Sequence, residues 1–364
     1  MKNYLLKLSA VTALHVGSGV KYSKKEYIYD ESKRRVTLID MGKVMGWLVR
    51  QNDPALIDAF ETFMFSRQDN DLKAFLRRMR IPEQKIKEAE IYSLSSGDAF
   101  VGGGNKRDLC AFSRDERGRP YIPGSSLKGA LRTALLVQAL LDGEGYRGAV
   151  DVHDEKAAKK TAENIETALL HRFKRSERAE DPRNSLMSCL SVSDSAPLPQ
   201  EAIILAGKDD IFTDGKKNSL PIVRECAAPG TEIRFRISIS PAAKGSLSIE
   251  EIKRAVNSFG NYYQRTYLDK YPQKLTEDLR GCILLGGGGG YYAKNILYPA
   301  HGKDRESALR DAVNIMKTNF AKHRHERDLG LGISPRALKC AQAGGRMRQM
   351  GICRVEIVEI EETK

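Results

Sequence analysis

The sequence predicts an α+β protein of two domains, each an antiparallel sheet with helices on one side. Three observations carry this. Strand-like alternation recurs in both halves, helical spacing interrupts it in both halves, and 364 residues are enough for two cores. The small and turn-forming residues of "PAAKGSLS" place the boundary between residues 243 and 244.

The elements follow in order. Leu6, Leu8, Ala10, Thr12 and Leu14 point one way, and Lys7, Ser9 and His15 the other, which is the period of a strand with one covered face. "HVGSG" ends that strand, where Gly17 and Gly19 permit a tight loop. "EYIYD" and "RRVTLID" predict a hairpin turning at Asp30 to Lys33. From about 41 to 90, "PALIDAFETFMF" and "DLKAFLRRMR" space their apolar residues for one-sided burial, so a helical insertion is expected. Residues 95–120 are glycine-rich and basic and predict a protruding loop carrying Lys106, Arg107 and Arg114. "IPGSSLKGALR" opens a helix with Ser125 as its N-cap and Leu127, Leu131, Ala134 and Leu135 as its apolar stripe.

A second helix is expected from Glu155 to Arg178. Strands follow at "MSCLSVSDS", "AIILAG", "PIVREC" and "TEIRFRISIS". The last sends Ile233, Phe235, Ile237 and Ile239 inward and leaves Arg234 and Arg236 on an open face that suits a long anionic ligand. Beyond the boundary come a helix from Ile249 to Tyr267, the strand "CILLG", a glycine run, a helix from Glu306 to Lys322 and the strand "GICRVEIVEI".

A net charge of +13 makes polyanions, nucleic acid above all, the leading partner class. No apolar stretch approaches the roughly 20 residues that span a bilayer, so no membrane association is expected. Lys7 interrupts the apolar run of "MKNYLLKLSAVTALHVGSG", which excludes a signal peptide and points to the cytoplasm. The six cysteines are scattered without a C-x-x-C pair, and His323 and His325 have no acid or cysteine at ligand spacing. No metal or cofactor is expected.

Two stretches suit a phosphate backbone. In "LLGGGGGYYAKNIL", Tyr291 stands where both the Walker loop and the dinucleotide fingerprint require glycine, so neither applies. What remains is a loop whose amides at Gly287, Gly288 and Gly289 can approach a sugar-phosphate chain, with Lys294 to supply charge. In "IPGSSLKGALR", Lys128 and Arg132 share a helix face and Ser125 and Ser126 add hydroxyl donors at a helix N-terminus. His15 lies on the polar face at a strand end, beside Gly17, Ser18, Gly19 and Lys21. It is the one candidate general acid or base for a metal-independent ribonuclease, which stands as the rival to a binding role.

The order "HVGSG", "PYIPGSSLKGALR", "LLGGGGGYYAKNIL" resembles the RAMP superfamily of CRISPR proteins. With "SVSDS" and "APGTEIRFRISIS" and the chain length, it resembles most the fifth-subunit family of the type III-A Csm effector complex. The resemblance implies two tandem ferredoxin-like (RRM-like) domains and a cytoplasmic ribonucleoprotein built on CRISPR RNA (crRNA). The implied partners are the other Csm subunits, chiefly the RAMP backbone subunit, with target RNA nearby. The implied place is the cap at the crRNA 3′ end, and the implied role is 3′-end maturation by positioning RNA or a trimming nuclease. Backbone subunits of the superfamily slice target RNA with an aspartate in the loop after the first strand. "GSGVKYSKKEY" has none, so no slicing is expected. The aromatic motif with which RRM sheets stack bases is absent, so backbone contacts should dominate.

Overall fold

The structure, a computed structural model, describes residues 2–100, 107–240, 246–272, 275 and 278–360. The chain begins with β1 (Lys2–Ala10), β2 (Gly17–Tyr22), β3 (Tyr27–Asp30) and β4 (Arg35–Ile39). Helices α1 (Met41–Val49), α2 (Pro54–Phe65), α3 (Leu72–Arg78) and α4 (Glu83–Glu88) precede β5 (Glu90–Ser95) and β6 (Asp108–Phe112). Then come α5 (Gly124–Asp142), α6 (Glu155–Leu170), β7 (Leu190–Ser195), β8 (Ile203–Phe212), β9 (Lys217–Ala227) and β10 (Glu232–Ile239). The last third holds α7 (Ile249–Thr266), β11 (Cys282–Leu284), α8 (Leu297–Ala300), α9 (Arg305–Asn319) and α10 (Asp328–Leu331), then β12 (Ala337–Ala343), β13 (Arg346–Gln349) and β14 (Ile352–Glu359).

One sheet has five strands in the order β11-β14-β1-β10-β7. β1 runs antiparallel to both neighbours, with Leu6 opposite Phe235 and Ile357, and Leu8 opposite Ile233 and Val355. The alternation legible in the sequence is kept: Leu6, Leu8, Ile233 and Phe235 are buried in one core with Leu127 and Leu131 of α5 and Val256 and Phe259 of α7. Each such side chain contributes about 2 kcal/mol by leaving water. The expected boundary at 243/244 falls across this sheet, because β11 and β14 come from beyond it and β14 pairs with β1.

The larger sheet runs β2-β6-β9-β8-β5-β4-β3, with β12 added on β8 and β13 on β12. β2 and β3 are neighbours in the chain yet occupy its two ends, so the sheet curls. The Tyr27 hydroxyl helps hold the curl: it accepts from the Arg107 amide at 2.9 Å and donates to the Arg107 carbonyl at 2.8 Å. Helices α1 to α4 form the expected insertion with a core of their own, including Val44, Leu48, Phe63 and Phe75. Asp40, Asp53 and Asp71 cap three of these helices.

Several expectations change. The stretch 95–120 is no simple protrusion, because β6 lies within it and pairs with β2 and β9. Leu109 and Phe112 of β6 are fully buried, but five residues between charged flanks give too short a pattern to read. Lys106 lies outside the described residues. Helix α6 stops at Leu170 rather than Arg178. Ser125 is not the cap of α5: the helix starts at Gly124, and the Asp194 carboxylate accepts from the Gly124 amide at 2.8 Å. A Cβ at Gly124 would lie 2.3 Å from the Ser193 carbonyl oxygen, so glycine is what lets α5 begin against β7. Among the described residues no helix is long and apolar enough to cross a membrane, and no group of three or more His, Cys, Asp or Glu could hold a metal ion.

Candidate nucleic-acid interface

The two glycine segments meet. After β1 the chain runs beside the start of β14, where Val11 donates to the Ile352 carbonyl at 2.9 Å and Gly351 to the Ala13 carbonyl at 3.0 Å. Leu285, at the head of the glycine run, donates to the Gly351 carbonyl at 2.8 Å, and Gly287 donates to the His15 carbonyl at 2.9 Å. The run therefore lies on the segment that joins the two sheets. Gly286 has φ of +80°, and a Cβ there would sit 2.1 Å from the His15 carbonyl oxygen. At Gly288 a Cβ would meet the Met350 side chain at 2.5 Å, and at Gly289 the Ala293 side chain at 2.7 Å. The bare backbone is thus needed first for close approach to the protein itself. Gly288 and Gly289 are buried and present nothing outward; Gly287 is exposed, but its amide is spent on the His15 carbonyl, so the expected row of free amides is not there. The tyrosines that follow join the core, with Tyr292 stacked on Tyr267 at 4.1 Å, and Lys294 stands exposed beyond them.

His15 is 6% exposed, and its Nδ1 donates to the Glu225 carbonyl at 2.7 Å. Burial pushes its pKa down to about 4; the hydrogen bond to Glu225 opposes this and the charge of Arg224 adds to it. The imidazole is neutral near pH 7, with one nitrogen committed. Stability follows from this. The unfolded chain protonates His15 below its ordinary 6.5, whereas the folded chain resists to about 4. Its contribution is full above 6.5 and declines as pH falls toward 4, by about 3 kcal/mol in total. His15→Asn should flatten that part of the stability–pH curve measured by urea unfolding.

Cations gather around the run. Arg224 of β9 donates from Nη1 to the Gly287 carbonyl at 3.2 Å. Lys339 of β12 packs its stem near Gly290 and pairs with both oxygens of Asp210 at 2.8 Å. Lys208 of β8 is half-buried, and burial, then the like charges of Lys339 and Arg224, hold its pKa below the usual lysine range. Three cations therefore share one face of the curled sheet with Asp210 as counter-charge, a field that an anion would relieve. None of the three was singled out from the sequence. Their only signal is a basic residue at an alternate position in "PIVREC", "ILAGKDD" and "RALKCAQA".

The other expected contacts lie elsewhere. Gly17, Ser18 and Gly19 are exposed, but in the edge strand β2 rather than in a loop. Lys21 pairs with Asp108 at 3.1 Å. Arg107 immediately precedes β6 and brings its guanidinium near Gly207. Arg114 does not reach outward. It stacks on Tyr92 at 3.7 Å and pairs at 3.1 Å with Glu225, whose side chain is fully buried. Arg234 pairs with Glu232 at 2.6 Å on the open face of the five-stranded sheet, where Arg236 is also exposed. Ser125, Lys128 and Arg132 line a groove of about 1160 Å³ between α5, α6 and residues 179–188, with Lys160 and Arg183 on its walls. Ser126 sits half-buried in the first turn of α5. Arg132 pairs with Glu166 at 3.3 Å, and partial burial holds the Lys128 pKa down.

The glycine-rich junction, the helix opened by "IPGSSLKGALR" and the sheets they connect define a RAMP protein. The RAMP superfamily model matches residues 7–291, and the chain belongs to that superfamily. Within it the chain is a Csm5-like member. It is 30% identical over 329 residues to the CRISPR system protein Csm5 of Streptococcus thermophilus, covering 88% of this chain and 86% of that one. The Csm5 protein of Mycobacterium tuberculosis is 27% identical over 388 residues, 99% of each chain. Among solved structures, a chain of the cryo-EM structure of a Csm–crRNA–target RNA ternary complex from a type III-A CRISPR–Cas system has the same fold. Its TM-score is 0.65 at 18% identity, covering 97% of this chain and all of that one. The crystal structure of Csm5 from T. onnurineus gives 0.62 at 18% identity, with 96% and 99% covered.

Proposed function

We propose that the chain is a non-catalytic, crRNA-binding subunit of a type III-A Csm effector complex in the cytoplasm. It caps the crRNA 3′ end beside the RAMP backbone subunit, with target RNA nearby, and serves 3′-end maturation in antiviral defence by placing RNA or a trimming nuclease. Its two RAMP units, taken as residues 1–243 and 244–364, are ferredoxin-like in plan, with β11 and β14 of the second completing the sheet that β1 begins. The observation that carries this reading is the convergence of Gly287, Arg224, Lys208 and Lys339 on one sheet face in a chain of Csm5 kinship. Lys294 and the groove holding Lys128 and Arg132 extend the phosphate contacts. The rival, cleavage by His15, draws no support from an imidazole that is buried, neutral and bonded to a backbone carbonyl.

Salt dependence tests the proposal. Each phosphate of single-stranded RNA that is neutralised contributes about −0.7 to the slope of log affinity against log salt, so about five contacts give roughly −3.5. Lys128→Ala with Arg132→Ala should weaken all RNA sequences alike and make the slope shallower by about 1.4. A wild-type slope near zero, or a loss confined to one sequence, contradicts backbone binding.

A further inference from the structure

A second basic basin lies away from the glycine run. It is a concavity of about 730 Å³ where the turn between β3 and β4, the end of β5 and the β12–β13 hairpin come together. Lys33, Arg34, Arg35, Arg346 and Arg348 line it, and its one acid is Asp98. That carboxylate is already engaged: one oxygen accepts from Arg34 at 3.2 Å and the other from the Gly345 amide at 2.8 Å. Asp98 thus ties the two turns together and leaves the basin with an excess of positive charge. Arg35 and Arg346 are exposed and form no ion pair among the described residues.

We propose that this basin binds phosphate groups of single-stranded RNA, as a contact distinct from the glycine-run junction; the inference rests on the RNA-binding reading above. The chemistry favours phosphate. Guanidinium groups present planar forks that match phosphate oxygens in pairs. The lining carries no aromatic ring among the described residues, so it offers neither base stacking nor the large apolar anchors that hold protein partners. The register supplies continuity. Arg348 is opposite Ala341 and Arg346 opposite Ala343, which puts both on the same side of the hairpin as Lys339. Lys339 packs near Gly290. Four residues of strand, about 13 Å, separate its level from that of Arg346. One strand pair therefore carries cations from the junction to the basin.

The test is equilibrium binding of the full chain to single-stranded oligouridine across a salt series. The proteins compared are wild type, Arg35→Ala with Arg346→Ala, the charge-reversed pair Arg35→Glu with Arg346→Glu, and Arg224→Ala. The alanine pair should make the slope shallower by about 1.4 with its urea midpoint unchanged, because both sites are exposed, and the glutamate pair should do at least as much to the slope. Arg224→Ala should make it shallower by about 0.7 on its own, and combined with the alanine pair by about 2.1. If wild type and Arg224→Ala behave as expected while both basin pairs match wild type, the basin is overturned and the RNA-binding reading stands. A wild-type slope near zero overturns both. If the pairs lose binding to a polyglutamate peptide but keep the wild-type slope on oligouridine, the basin is a seat for an acidic protein segment and the proposal fails.

Discussion

Gly286→Ala is expected to cost the chain at least tenfold in RNA affinity, although the substitution adds one methyl group and removes no charge. At φ of +80° an alanine is strained by about 1–2 kcal/mol. The greater effect is steric, because the methyl would stand 2.1 Å from a backbone oxygen, that of His15, which cannot swing aside as a side chain would. Either the glycine run or the segment after β1 must move. Moving the run breaks the Gly287 to His15 hydrogen bond and withdraws the Gly287 carbonyl that holds Arg224, which displaces that cation from the face it shares with Lys208 and Lys339. A tenfold loss corresponds to about 1.4 kcal/mol, within what one displaced phosphate site supplies. Gly287→Ala is the control. Its Cβ would be 3.4 Å from the nearest His15 atom with no positive φ, so the fold should tolerate it. Fluorescence anisotropy on a labelled single-stranded RNA, with urea unfolding in parallel, separates the two effects.

Glu225→Ala should destabilise the larger sheet by about 3–5 kcal/mol. The carboxylate is fully buried and accepts three bonds, from Tyr92 Oη at 2.7 Å, the Phe112 amide at 2.9 Å and Arg114 Nη2 at 3.1 Å. Alanine leaves the Arg114 guanidinium, only 12% exposed, without its counter-charge, and the Phe112 amide without an acceptor. Glu225→Gln keeps acceptor and shape but not charge, and should lie between wild type and alanine. Pairing Glu225→Ala with Arg114→Ala should recover part of the loss, because the stranded charge is gone. The midpoint of urea unfolding reads all four proteins. Equal midpoints for the alanine variant and wild type would show that the pair contributes nothing to the fold.

These residues also show what the sequence could and could not disclose. The alternation of Leu6, Leu8, Ile233 and Phe235 was legible because a two-residue period states which face is buried, whatever lies against it. The hairpin at Asp30 and the helical insertion were legible for the same reason, their signals being local. Arg114 was not. In a basic, glycine-rich stretch it reads as a surface charge, and only the fold brings Glu225 to it from β9. The glycine run was flagged, but its cause was hidden: the backbone it must approach belongs to His15, at the opposite end of the chain. Arg224, Lys208 and Lys339 come from three strands, and nothing local marks a cation that becomes one of a group only when β9, β8 and β12 align. The role expected of Ser125 failed because a more distant acceptor, Asp194, reaches the first amide of α5.

The central claim is that an RNA backbone runs over the junction where the glycine run meets β9 and β12. The most direct measurement is a map of crRNA crosslinks in the assembled particle, resolved to single residues of this subunit. Crosslinks at Gly287 and Lys294, diminished by Arg224→Ala, are the predicted result. A guide that crosslinks to this subunit only at positions remote from the junction, and is indifferent to Arg224, would contradict the account.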